Sequence, residues 1–138
     1  MSSSPEAIRY KLAVVGAHLS GMALNHQLTG KGATLVRQCK TAPVYRLYAL
    51  PDTVPPKPGM LRVGVEQGVA IELEIWEMDR GVFADFVAAI PGPLGIGSIL
   101  MEDQSAVQGF LCESYAVVHA TDISQFGGWR GYVASKSQ

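Results

Sequence analysis

The sequence predicts a mixed α+β domain, a small, largely antiparallel β-barrel or curved sheet with one or two short helices. Three observations carry this reading. About six short segments are continuously apolar or alternate in polarity, as strands do. One segment repeats its apolar residues at helical spacing. Finally, 15 glycines and 8 prolines in 138 residues break the chain too often for a helical bundle, and strands mostly adjacent in sequence favour antiparallel pairing.

Taken in order, Leu12-Ala13-Val14-Val15 is an unbroken apolar run with two β-branched residues, which predicts a buried strand ending at Gly16-Ala17-His18-Leu19-Ser20-Gly21. Residues 24–28 carry an apolar residue at each end and precede Gly30 and Gly32, predicting one or two helical turns stopped by glycine. Residues 34–39 and 45–50 predict two strands, and the turn-like Thr41-Ala42-Pro43 between them predicts that they pair with each other. Pro51, Pro55, Pro56 and Pro58 make the next stretch a semi-rigid surface loop, because proline cannot donate to a central ladder. Residues 69–76 alternate, with Ile71, Leu73 and Ile75 on one face and Glu72 and Glu74 on the other. Asp79 is the expected N-cap of a helix whose apolar face is Val82, Phe83, Phe86, Val87 and Ile90, ended by Pro91-Gly92-Pro93. Strands follow at 97–101 and 107–114 around the turn Asp103-Gln104-Ser105, and Asp122-Ile123-Ser124 is expected to cap a helical turn before Phe126-Gly127-Gly128-Trp129-Arg130.

Residues 1–10 are expected to be a flexible segment, 11–134 a single domain and 135–138 a flexible tail. Hydrophobic residues at 48% and charged residues at 17% describe a folded chain, and a net charge of -1 argues against nucleic-acid or membrane-surface partners, which need concentrated positive charge. No run reaches the roughly 20 apolar residues of a membrane span, and the start lacks a basic segment followed by an apolar one, so a cytoplasmic location is expected. Cys39 and Cys112 form no C-x-x-C spacing and are read as buried small hydrophobes. Three scattered histidines make no metal site by spacing, so neither metal nor cofactor is expected.

His18 is the first candidate for chemistry. It stands where a buried strand ends, glycines on either side let a ligand approach the backbone, and an unperturbed imidazole titrates at roughly pH 6.5. The residues alone serve equally for a hydrogen-bonded histidine at the edge of the core. Arg37, Arg46, Lys57, Arg62 and Arg130 are available to hold an anion, but each is equally a surface charge or a partner for Glu72, Glu74, Glu77 or Glu113. Gly92-Pro93-Leu94-Gly95-Ile96-Gly97 follows a helix instead of a strand, so it reads as a turn and not as a phosphate loop.

The ordered set Gly16-Ala17-His18-Leu19-Ser20-Gly21-Met22-Ala23-Leu24-Asn25, Tyr45-Arg46-Leu47-Tyr48, Pro56-Lys57-Pro58-Gly59, Glu74-Ile75-Trp76-Glu77, Ile90-Pro91-Gly92-Pro93-Leu94-Gly95-Ile96-Gly97 and Phe126-Gly127-Gly128-Trp129-Arg130 resembles the C-terminal domain of allophanate hydrolase, over about residues 12–132. The resemblance implies a γ-glutamylcyclotransferase-like fold. It also implies a role in urea and s-triazine nitrogen breakdown: decarboxylation of N-carboxycarbamate, the product of a separate amidase domain, to carbamate. The amidase's serine signature is absent here, so no amidase activity is expected of this chain, and its partners would be a small dicarboxylate-like substrate and an amidase domain or subunit, with self-association also compatible.

The family's catalytic histidine falls on His18, with the backbone of Gly16, Ala17 and Leu19 and the side chains of Tyr45, Arg46, Lys57 and Arg130 as substrate-binding candidates. Cyclotransferases carry Tyr-Gly-Ser-Leu in the first loop and an acidic residue after the helix. Here the loop is Val15-Gly16-Ala17-His18-Leu19, and Ala88-Ala89-Ile90-Pro91 holds no carboxylate, which argues against glutamyl cyclisation. A non-catalytic domain that assembles or stabilises a larger amidohydrolase is the alternative from another class.

Overall fold

The computed structural model describes residues 8–136. The element order is β1 (Arg9–Val14), α1 (His26–Thr29), β2 (Thr34–Lys40), β3 (Tyr45–Ala49), β4 (Pro58–Arg62), β5 (Glu72–Asp79), α2 (Arg80–Ala89), β6 (Leu94–Leu100), β7 (Ala106–Cys112), β8 (Thr121–Asp122) and α3 (Trp129–Lys136), with single 3-10 turns at Ser114–Val117 and Ser124–Phe126. Five strands form a sheet in the order β2-β5-β1-β7-β6, and three more form a sheet in the order β4-β3-β8.

The apolar run predicted as a buried strand is the middle strand of the larger sheet. β1 pairs antiparallel with β5, with Val14 opposite Glu74, and parallel with β7, with Ala13 opposite Gly109. Leu12, Ala13 and Val14 are buried together with Leu47, Ile71, Leu73, Ile75, Met78 and Ile99. Full burial of such side chains is worth about 1.5–3 kcal/mol each. The two edges of this sheet meet beyond the ends of β2 and β6: Thr41 bridges Met101, Ala42 N–H donates to Leu100 O at 2.9 Å, and Glu102 N–H to Lys40 O at 3.1 Å. The sheet thereby curls back on itself, and the fold is the expected mixed α+β one.

The structure corrects the expected pairing of 34–39 with 45–50. β2 pairs with β5, whereas β3 pairs with β4 and β8. The connection does not reverse the chain, because Thr41 and Ala42 are themselves held in the interior. Thr41 Oγ1 accepts Ile71 N–H at 3.0 Å and donates to Ala42 O at 2.8 Å, and the chain passes from one sheet to the other. The proline stretch is a loop only as far as Lys57. Pro58 opens β4, an edge strand, where its missing N–H removes no ladder bond.

Smaller departures have equally local causes. Asp79 precedes α2 but makes no capping hydrogen bond with its side chain, which pairs with Arg9 at 3.2 Å. Cys112 is buried as expected, while Cys39 on β2 is partly exposed. The helical turn expected after Asp122 is present at Ser124–Phe126, with Asp122 Oδ1 accepting Ser124 N–H at 2.9 Å, and α3 follows it. Of the terminal segments set aside, residues 1–7 and 137–138 lie outside the described residues, whereas Arg9 and Tyr10 open β1 and Ser135 and Lys136 close α3. Among the described residues no helix is long and apolar enough to cross a membrane.

Candidate functional site

Beyond Val14 the chain leaves the sheet and winds tightly before α1. Leu19 N–H donates to Gly16 O at 3.0 Å, Met22 N–H to Leu19 O at 2.9 Å and Leu24 N–H to Ala17 O at 2.8 Å. The side chain of Asn25 ties the loop to itself by donating to His18 O at 2.8 Å. Gly16 is required by contact, since a Cβ there would stand 2.3 Å from Pro58 Cδ. Gly16→Ala is therefore expected to lower stability by about 1–3 kcal/mol, as overpacking does. An unchanged urea midpoint for that variant would show that the loop and Pro58 do not pack this closely.

A buried carboxylate anchors the same loop from beneath. Glu74, on the face of β5 opposite Ile71, Leu73 and Ile75, is fully buried, covered by the loop and by Arg130 from α3. Glu74 Oε1 accepts Ser20 N–H at 2.9 Å, Ser20 Oγ–H at 3.0 Å and Trp76 Nε1–H at 3.0 Å. Its Oε2 accepts Arg130 at 2.7 Å and Gln38 at 3.2 Å. Burial pushes this carboxyl up, but the bonds from Arg130, Ser20 and Trp76 outweigh it, and the group is held below its ordinary range. Arg130 spans the gap, since it also donates to Ser20 O at 2.7 Å.

His18 points from the loop into a cavity of about 250 Å³. Its ring lies parallel to that of Phe110, with centroids 5.7 Å apart, and meets Phe86 edge-on at 5.5 Å. His18 Nε2 lies 2.7 Å from Gln27 Oε1, so the neutral ring carries its proton on Nε2 and leaves Nδ1 as the free acceptor. Burial lowers the pKa from its ordinary 6.5; the bond to Gln27 opposes this, and the positive charge of Lys57 and of His26 adds to it. Burial thus favours the neutral ring before anything binds.

The structure brings together only part of the expected constellation. Gly16, Ala17, His18 and Lys57 line the cavity. Leu19 is fully buried in the core, and its amide is spent on Gly16 O. Among the described residues no acceptor takes the amides of Ala17 and His18, so these two N–H groups are open to an anion whereas that of Leu19 is not. Tyr45 is fully buried, and its Oη accepts Leu100 N–H at 2.8 Å. Arg46 is committed to Asp122 at 2.6 Å and to Gln67 O at 2.6 Å, and Arg130 to Glu74. None of these three lines the cavity.

Lys57 takes part in none of the ion pairs among the described residues. The remaining walls are mostly apolar, among them Leu24, Phe86, Ile90, Leu94 and Phe110, and no carboxylate of the described residues lines the cavity. Gln27 was missed by sequence reasoning, and so was the role of the two phenylalanines. The helical spacing from Val82 to Ile90 marked Phe86 as apolar but not as a pocket wall, and nothing local singles out Gln27. Among the described residues no group of His, Cys, Asp and Glu is placed to hold a metal ion.

Comparison with known proteins puts this geometry in context. The family described as the allophanate hydrolase C-terminal domain matches residues 10–134. The urea amidolyase of Lachancea kluyveri is 44% identical over 126 residues, which are 89% of this chain and 7% of that protein; a second relative, from Saccharomyces cerevisiae, is likewise matched over 7% of its length. The solved allophanate hydrolase of Kluyveromyces lactis superposes with a TM-score of 0.88 at 41% identity, covering 96% of this chain and 22% of that one. A solved uropathogenic E. coli-specific protein superposes at 0.83 with 34% identity, covering 92% of this chain and 97% of that one. A γ-glutamyl cyclotransferase, 8% identical with a TM-score of 0.56 over 77% of this chain and 68% of that one, shares the fold alone.

Proposed function

The chain belongs to the allophanate hydrolase C-terminal domain family, and from that membership we propose that its cavity decarboxylates N-carboxycarbamate to carbamate and CO2. The observation that carries the reading is His18, set in a mostly apolar cavity beside a lysine that makes no ion pair, with no carboxylate of the described residues in its walls. In this reaction the bond from nitrogen to one carboxylate carbon breaks. Its electron pair stays on nitrogen, CO2 departs, and nitrogen takes a proton to give the carbamate anion. His18 is the proton donor, a role that contributes about 10²- to 10⁴-fold in rate. Lys57 and the amides of Ala17 and His18 bind the substrate's charge.

Glutamyl cyclisation is disfavoured on the same ground, since that chemistry uses an acidic general acid/base and no carboxylate of the described residues lines this cavity. The substrate would come from an amidase domain or subunit, because this chain spans only a small part of the urea amidolyases it matches. Adding the chain to an isolated amidase domain is expected to speed CO2 release from allophanate. Release at the unassisted rate would leave the domain an assembly role instead.

The lowered pKa of His18 sets the sign of a binding effect. Burial favours the neutral ring in the free chain and a bound dianion favours the imidazolium, so binding is expected to take up protons. Titrating the chain with malonate, a stable dicarboxylate, in buffers of different ionisation enthalpy is expected to show this uptake, and His18→Asn is expected to abolish it. Uptake that persists in the variant would assign the proton to another group.

A further inference from the structure

Resting on the decarboxylation reading, we infer that the cavity binds its dicarboxylate asymmetrically: one carboxylate is held by Lys57 and the Ala17 and His18 amides, and the departing one lies unpaired against Phe86, Ile90, Leu94 and Phe110. The argument is one of supply. N-carboxycarbamate carries two carboxylates, yet among the described residues the cavity offers one permanent cation, Lys57; its other polar side chains are Gln27, bonded to His18, and His18 itself, whose proton goes to nitrogen. The arginines that could hold the second are bonded elsewhere, Arg130 to Glu74 at 2.7 Å and Arg46 to Asp122 at 2.6 Å.

The walls fit a group that must lose its charge. A carboxylate without hydrogen-bond partners in apolar surroundings is raised in free energy. As the bond breaks, its negative charge moves onto nitrogen and toward the proton of His18, and the leaving group becomes neutral CO2. The apolar wall therefore opposes the ground state more than the transition state, which is the condition for acceleration. A second cation at that wall would do the reverse, binding substrate more firmly and holding back the departure of CO2.

Two measurements test the asymmetry. Malonate and monomethyl malonate are titrated into the chain: the monoester, whose ester occupies the apolar wall, is expected to bind at least as tightly as malonate, and Lys57→Met is expected to weaken both by a similar factor. Malonate binding tenfold or more tighter than the monoester, or failure of both to bind, would overturn the inference. Leu94→Lys is then expected to tighten malonate binding while slowing CO2 release, a lower KM with a lower kcat; a variant that improves both contradicts it. The binding comparison needs no turnover, so a chain that fails to release CO2 yet prefers the monoester would defeat the functional proposal and leave the asymmetric cavity standing.

Discussion

Glu74→Ala is expected to lower the stability of the chain by about 3 kcal/mol, the low end for breaking a buried ion pair, because its partner Arg130 is only partly buried and keeps Glu72 beside it. The carboxylate is fully buried and accepts hydrogen bonds from Ser20, Trp76, Gln38 and Arg130. Its loss leaves the Trp76 indole N–H without its acceptor, removes the closest anion of Arg130, which keeps only Ser20 O and the more distant Glu72, and frees the Ser20 amide that tethers the His18 loop. Glu74→Gln keeps the shape and part of the bonding, so a smaller loss of about 1–3 kcal/mol is expected. Urea unfolding at constant slope reads both values. A change below about 1 kcal/mol for the alanine variant would show that the carboxylate does not anchor this loop.

The same group fixes the sign of an acid effect. Its pKa in the folded chain lies below the ordinary 4.5, so the unfolded chain binds the proton more readily. The stabilisation is fully present above pH 4.5 and is lost as the pH falls through the lower folded value. Acid unfolding of Glu74→Gln, which has no such proton to take up, is expected to be less steep.

His18→Asn is expected to lower the catalysed rate of CO2 release by about 10²- to 10⁴-fold while leaving the fold intact. The side chain is only partly buried and its ring contacts are with the cavity walls Phe86 and Phe110, so the loss belongs to chemistry more than to packing. Gln27→Ala frees Nε2 and is expected to move the pH profile of the reaction to lower pH, because the bond from Gln27 raises the His18 pKa. An unaltered rate for His18→Asn would remove this residue from the mechanism.

Much of this arrangement was legible in local sequence. Unbroken apolar character marked β1 as buried, and its glycine-rich exit marked His18, because both signals lie within a few residues of one another. The partners of β2 and β3 were not legible. A turn-like Thr41-Ala42-Pro43 reads the same whether the chain reverses or crosses between sheets, and only the buried bonds of Thr41 to Ile71 and Ala42 decide it. The burial of Glu74 was not legible either, because alternation along β5 shows only which face a residue shares. That this face is covered depends on Arg130, 56 residues away in sequence. The same long-range pair explains why Arg130, as plausible an anion ligand as Lys57 by composition, supports the loop from behind while Lys57 faces the cavity.

The central claim, that this domain itself performs the decarboxylation, is tested most directly by following ¹³C-labelled N-carboxycarbamate by NMR, generated in place by an amidase and then separated from it. The account predicts that its rate of loss rises in proportion to the concentration of the chain, with labelled carbamate and CO2 formed together, and that His18→Asn restores the spontaneous rate. A rate of loss independent of the chain at every concentration would contradict it.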